Sequence, residues 1–85
     1  MTNRPLRDIA ADIEAHWPQV NYAARPYLDA MAELDEITDN YYLDTAESVV
    51  LYFLANARAW RGGDARRIKT ELRSMIDRID HHDAN

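Results

Sequence analysis

Apolar residues recur along this chain at the three- and four-residue spacing of amphipathic helices, and few stretches alternate with period two. Leu6, Ile9, Ala10, Ile13 and Trp17 fall within about 100° of one another on a helical wheel. Asp8, Asp12 and Glu14 lie away from the centre of that stripe. The pattern predicts a first helix over residues 5–16. Thr2 or Asn3 is its expected cap, and Pro5 suits its first turn because that N–H has no helical partner. Pro18 disfavours helical geometry at Trp17 and ends the helix there. Asn21 is read as the start of a short helical turn, and Pro26 as an early residue of a second helix over 24–37. Tyr27, Ala30, Met31 and Leu34 share its buried face, with Leu28 on the flank, and Thr38-Asp39-Asn40 reads as a break.

The third helix, over 45–60, has the clearest start. Asp44-Thr45-Ala46-Glu47 offers an Asp-type capping box, with Thr45 as a competing cap. The run Val49 to Ala55 is apolar on every side. A helix without a polar face is either the central core helix or buried between subunits. Val49 and Val50 also suit a strand, but the cap and the Ala-rich stretch that follows decide for a helix. Gly62-Gly63 supplies a left-handed stop, and Asp64 caps a fourth helix over 64–79. Its stripe is Ile68, Leu72, Met75, Ile76 and Ile79, with Arg67–Glu71 and Arg73–Asp77 as pairs one turn apart. Residues 80–85 are expected to fray. The expected fold is all-α: one domain over residues 1–85, a compact four-helix arrangement with the apolar third helix at its centre.

Composition narrows the function classes. The 85 residues suffice for one domain. With no cysteine, disulfides, thiolate zinc sites and a cysteine nucleophile are excluded. The first residues lack the apolar core of a signal peptide, and the longest apolar run falls far short of the roughly 20 residues that span a bilayer. A cytoplasmic protein without a membrane partner is expected. The net charge of −5 is uneven: residues 1–57 carry ten acids and three bases, residues 58–85 five acids and seven bases. The basic end keeps nucleic acid open as a partner, and an acidic half and a basic end can also meet head to tail between subunits.

No arrangement of side chains announces catalysis. There is no Gly-rich phosphate loop, and Ser48 and Ser74 stand on helices without a plausible His base. Asp35, Glu36 and Asp39 read as solvated carboxylates near a helix end. His81 and His82 would point about 100° apart on a helix, which does not build a tetrahedral metal site with Asp83. His16 reads as a helix C-terminal residue answering the dipole. No cofactor, no metal and no enzyme activity are expected. The aromatic residues Trp17, Tyr22, Tyr27, Tyr41 and Tyr42 crowd the acidic half. Trp17 and Tyr27 read as core, whereas adjacent Tyr41 and Tyr42 are candidates for partner contact. On the fourth helix Arg66, Lys69 and Arg73 share a face opposite the apolar stripe, close to Arg61. With the Gly62-Gly63 turn this mimics a helix-turn-helix, though no Asn or Gln on that face would read bases. Candidate partner-binding residues are therefore Tyr41, Tyr42, Arg61, Arg66, Lys69 and Arg73.

Trp60-Arg61-Gly62 is similar to the Trp-x-Gly turn of secreted WXG-type helical hairpins, although the expected C-terminal Tyr-x-x-x-acid export signal is missing. Over most of residues 6–73 the chain resembles a group of small helical proteins from actinobacteria and their phages. Ile9-Ala10-Ala11-Asp12-Ile13, Val20 to Leu28, Tyr52 to Ala57, Trp60-Arg61-Gly62 and Ala65 to Leu72 carry the resemblance. That group has no established activity, so the resemblance implies no catalytic residues; it implies a phage or prophage origin. The expected function is a non-catalytic, self-associating protein-interaction module that modulates a host protein. The alternatives are a nucleic-acid binder using the basic face of the fourth helix, or a WXG-type hairpin.

Overall fold

In the computed structural model residues 4–83 are described, with side chains as far as Ile79. The described residues form helices α1 (Leu6–His16), α2 (Arg25–Met31), α3 (Ala46–Asn56) and α4 (Gly63–Asp83). Between α2 and α3 lies a small antiparallel ribbon of β1 (Asn40–Tyr41) and β2 (Asp44–Thr45). The chain is thus mostly helical, and the ribbon is the element that helical periodicity did not announce.

The predicted stripes of α1 and α4 are buried, apart from partly exposed Ile79, whereas on α2 the expected flank residue Leu28 is fully buried and the expected core residue Tyr27 only partly so. Leu6, Ile9, Ala10 and Ile13 of α1 pack with Leu28, Ala30 and Met31 of α2, and with Ile68, Leu72, Met75 and Ile76 of α4. Pro5 stands at the N-cap of α1, while the expected caps Thr2 and Asn3 lie outside the described residues. The first free amides of α1 find backbone acceptors instead: Leu6 N–H donates to Asp35 O at 2.7 Å and Arg7 N–H to Leu34 O at 2.8 Å. That arrangement shortens α2. It was expected to reach residue 37 but ends at Met31, because the carbonyls of Leu34 and Asp35 cap α1 rather than continue a helix. Leu34 still reaches the core.

α3 begins where predicted, but its cap is the competing candidate Thr45 and not Asp44, which lies in β2: Thr45 Oγ1 accepts the Ser48 N–H at 3.1 Å. It ends at Asn56 instead of about residue 60. From Ala57 the chain turns so that Trp60 lies flat on Trp17, with centroids 5.3 Å apart and rings 5° from parallel. Phe53 meets the Trp17 ring edge-on at 6.2 Å, and the Trp60 Nε1–H donates to His16 O at 3.3 Å. Asn21 ties in the same end, its Oδ1 accepting the Ala24 N–H and its Nδ2 donating to Asn56 O.

The expected central position of α3 needs correction. Val49, Val50 and Phe53 face the core, but Leu51 is 47 % exposed and Tyr52 53 %. α3 is packed on one side only. Gly62 has a positive φ of +112°, but it does not stop α3, which ends at Asn56, and Asp64 lies in the first turn of α4 rather than capping it, because α4 starts at Gly63. The helix assignment of α4 continues to Asp83, past the expected end at residue 79; residues 84–85 lie outside the described residues.

α1 and α4 are joined at Asp12, whose side chain is only 15 % exposed. It accepts from Arg4 Nη1 and Arg67 Nη1, both at 3.0 Å. Arg67 also reaches Asp64, and Arg4 holds Glu71 at 2.7 Å, so in place of the expected Arg67–Glu71 pair Arg67 binds Asp12 and Asp64 and Glu71 binds Arg4. The Arg67 and Arg4 guanidiniums hold the Asp12 carboxyl down at about 2. The unfolded chain takes up this proton first as pH falls, so the stabilisation is complete above about pH 4 and is lost toward pH 2. Urea unfolding of Asp12→Asn should show a lower midpoint at neutral pH and a shallower decline through this window than the parent chain. Parallel declines would contradict the network.

Candidate functional site

The ribbon is a two-residue hairpin. Asn40 pairs with Thr45 and Tyr41 with Asp44, leaving Tyr42-Leu43 as the loop. Tyr42 has φ of +57°. Such a conformation costs a residue with a β-carbon about 1–2 kcal/mol, and hairpin loops of this length favour Gly or Asn there. The hairpin is nevertheless firmly planted. Ala46 N–H donates to Asp39 O at 2.8 Å, and Asp39 Oδ2 accepts the amides of Asp35 and Glu36. The chain then enters α3 directly.

The pleat gives the two adjacent tyrosines different fates. Tyr41 is half-buried and packs against the core, while Tyr42 turns outward, its ring edge-on to Tyr41 at 4.7 Å. Partial burial, with Glu33, Tyr42 and Asp29 nearby, pushes the Tyr41 phenol upward from its ordinary pKa. At the tip Tyr42 is 84 % exposed and Leu43 fully so. The arrangement is an apolar tip in acidic surroundings, projecting from a fixed base.

The cationic face forms around the Trp60–Gly62 turn and the first half of α4. Arg61, Arg66, Lys69 and Arg73 border one shallow depression there. The structure separates Lys69 from the rest. Its Nζ donates to Ala57 O at 2.7 Å and Trp60 O at 2.6 Å, and lies 5.8 Å from the Trp60 ring. Burial, then Arg73 and Arg61, lower its pKa. Lys69 caps the carbonyl end of α3, and this corrects its expected role as a solvent-facing contact. Arg61, Arg66 and Arg73 are exposed and form no ion pair among the described residues.

Other charged groups are paired. Arg25 binds Glu14 at 2.6 Å and Asp29 at 3.1 Å, and Arg7 pairs with Asp35. His16 Nδ1–H donates to Asp12 O at 2.9 Å, which raises its pKa with help from Asp64 and Asp12. The side chains of His81, His82 and Asp83 lie outside the described residues. Among the described residues no group of His, Asp and Glu is arranged to hold a metal ion, and no buried side-chain polar atom lacks a partner. No helix among them is long and apolar enough to cross a membrane.

Leu43, Leu51 and Tyr52 were not singled out from sequence. Leu43 had a usable signal, since it sits between the candidate tyrosines and a helix cap, where no buried face was predicted. Leu51 and Tyr52 had none, because an all-apolar run does not reveal which side meets the core.

No family model, no curated protein and no solved structure matches the chain.

Proposed function

We propose that this chain is a non-catalytic protein-interaction module that docks a partner through the hairpin tip and associates with itself. The observation that carries the docking reading is Tyr42. An exposed tyrosine occupies a left-handed turn position where glycine would be less strained, beside a fully exposed leucine. Tyrosine supplies large contact area with few rotamers to order, which suits a binding tip. Half-buried Tyr41 serves as the wall behind it. A host protein as the partner, cytoplasmic action and a phage or prophage origin belong to the same proposal, the origin resting on the sequence resemblance alone.

The test separates stability from binding. Tyr42→Gly should raise the unfolding free energy by about 1 kcal/mol by relieving the turn. The same variant, and Leu43→Ser, should lose the polypeptides that the parent chain retains from a host lysate. A Tyr42→Gly chain that is less stable, or that retains the same polypeptides, contradicts the reading.

A second reading rests on three arginines around the Trp60 turn and α4 that form no ion pair among the described residues. Arg61, Arg66 and Arg73 would grip nucleic-acid phosphates, without base reading. Duplex binding that falls steeply with rising salt and weakens on Arg66→Ala would favour it. Absence of any duplex shift at low salt would remove it.

A further inference from the structure

α3 and α4 meet along a groove of about 390 Å³ lined by Leu51, Leu54, Arg73, Ile76 and Asp77. Leu51 is half-exposed, Leu54 is only partly covered, and Ile76 forms the floor. This is the outer side of the helix whose run from Val49 to Ala55 has no polar face. The core takes up Val49, Val50 and Phe53, and so accounts for only one side of it. The rim of the groove carries Arg73 and Asp77, one turn apart on α4 and opposite in charge. They stand within reach of each other on one helix, yet no ion pair between them, or to any other described residue, is formed.

We propose that this groove is a two-fold interface with a second copy of the chain, in which Arg73 of each protomer meets Asp77 of the other. The assignment of the occupant follows from symmetry. A two-fold interface uses one patch on both subunits, so a residue i that meets j also has its own j met by i. A cation and an anion separated by one turn, flanking an apolar strip, satisfy that condition when two α4 helices lie antiparallel with the axis passing between Arg73 and Asp77. Both cross-pairs then form at once, while Leu51, Leu54 and Ile76 of the two copies close over each other. A parallel alignment would place like charges together. The inference rests on the self-association part of the reading above and is independent of the hairpin tip.

The test uses the full chain and sedimentation equilibrium at micromolar concentration. The parent chain should sediment as a dimer. Arg73→Asp alone and Asp77→Arg alone should each weaken it at least about tenfold, because each sets two like-charge contacts across the axis. Mixing these two variants should restore a dimer, since one then carries two anions and the other two cations at the rim. Recovery on mixing cannot come from repaired folding within either chain. Leu51→Glu should abolish dimerisation with the helical circular dichroism unchanged. A parent chain that stays monomeric overturns the proposal, and so does a dimer indifferent to these substitutions or single variants that fail to recover on mixing. Tyr42→Ser should remain a dimer, so that loss of docking and loss of self-association are read separately.

Discussion

The fold depends on Trp17 lying flat against Trp60, with Phe53 set edge-on to the first ring. This contact joins the end of α1 to the turn between α3 and α4, and the sequence supplies it from three separate elements. Large aromatic rings bury much apolar area with few torsions to fix, which matters in a chain of 85 residues. Once Phe53 points at Trp17, the rotation of α3 about its axis is decided. Val49 and Val50 turn inward with it, and Leu51 and Tyr52 are left on the outside.

The polar interactions secure that geometry. Lys69 reaches back from α4 to the carbonyls of Ala57 and Trp60 and so fixes the turn that presents Trp60. Asn21 binds Asn56 O at the same helix end. Asp12 locks α4 to α1 through Arg4 and Arg67. Among the described residues Arg4, Arg7, Arg25 and Arg67 are held in such pairs. Arg61, Arg66 and Arg73 gather around the Trp60 turn and the front of α4, and that gives the cationic face its character.

What could be read from the sequence follows from how each element is specified. α1 and α4 carry one-sided stripes over many turns, so their buried faces were legible. The N-cap of α3 was legible because Thr45 combines the right side chain with the right place. α2 was overestimated because nothing local reveals that the carbonyls of Leu34 and Asp35 go to the amides of α1. The hairpin was hidden because its loop is Tyr42-Leu43, without the glycine or asparagine that usually marks such a turn. Of the candidate contact residues, Tyr42, Arg61, Arg66 and Arg73 stand exposed, whereas Tyr41 is half withdrawn and Lys69 is occupied internally. The orientation of α3 depends on partners distant in sequence, which an all-apolar run cannot express.

The aromatic cluster draws Trp17, Phe53 and Trp60 inside and leaves Tyr42 and Leu43 outside on a fixed base. Paramagnetic relaxation from an inert, water-soluble gadolinium chelate measures this directly, residue by residue. Strong relaxation of the Tyr42 ring and Leu43 methyl signals is predicted, with the Trp17, Phe53 and Trp60 ring signals nearly untouched. Indole signals relaxed as strongly as those of Tyr42, or a protected Leu43, would contradict the account.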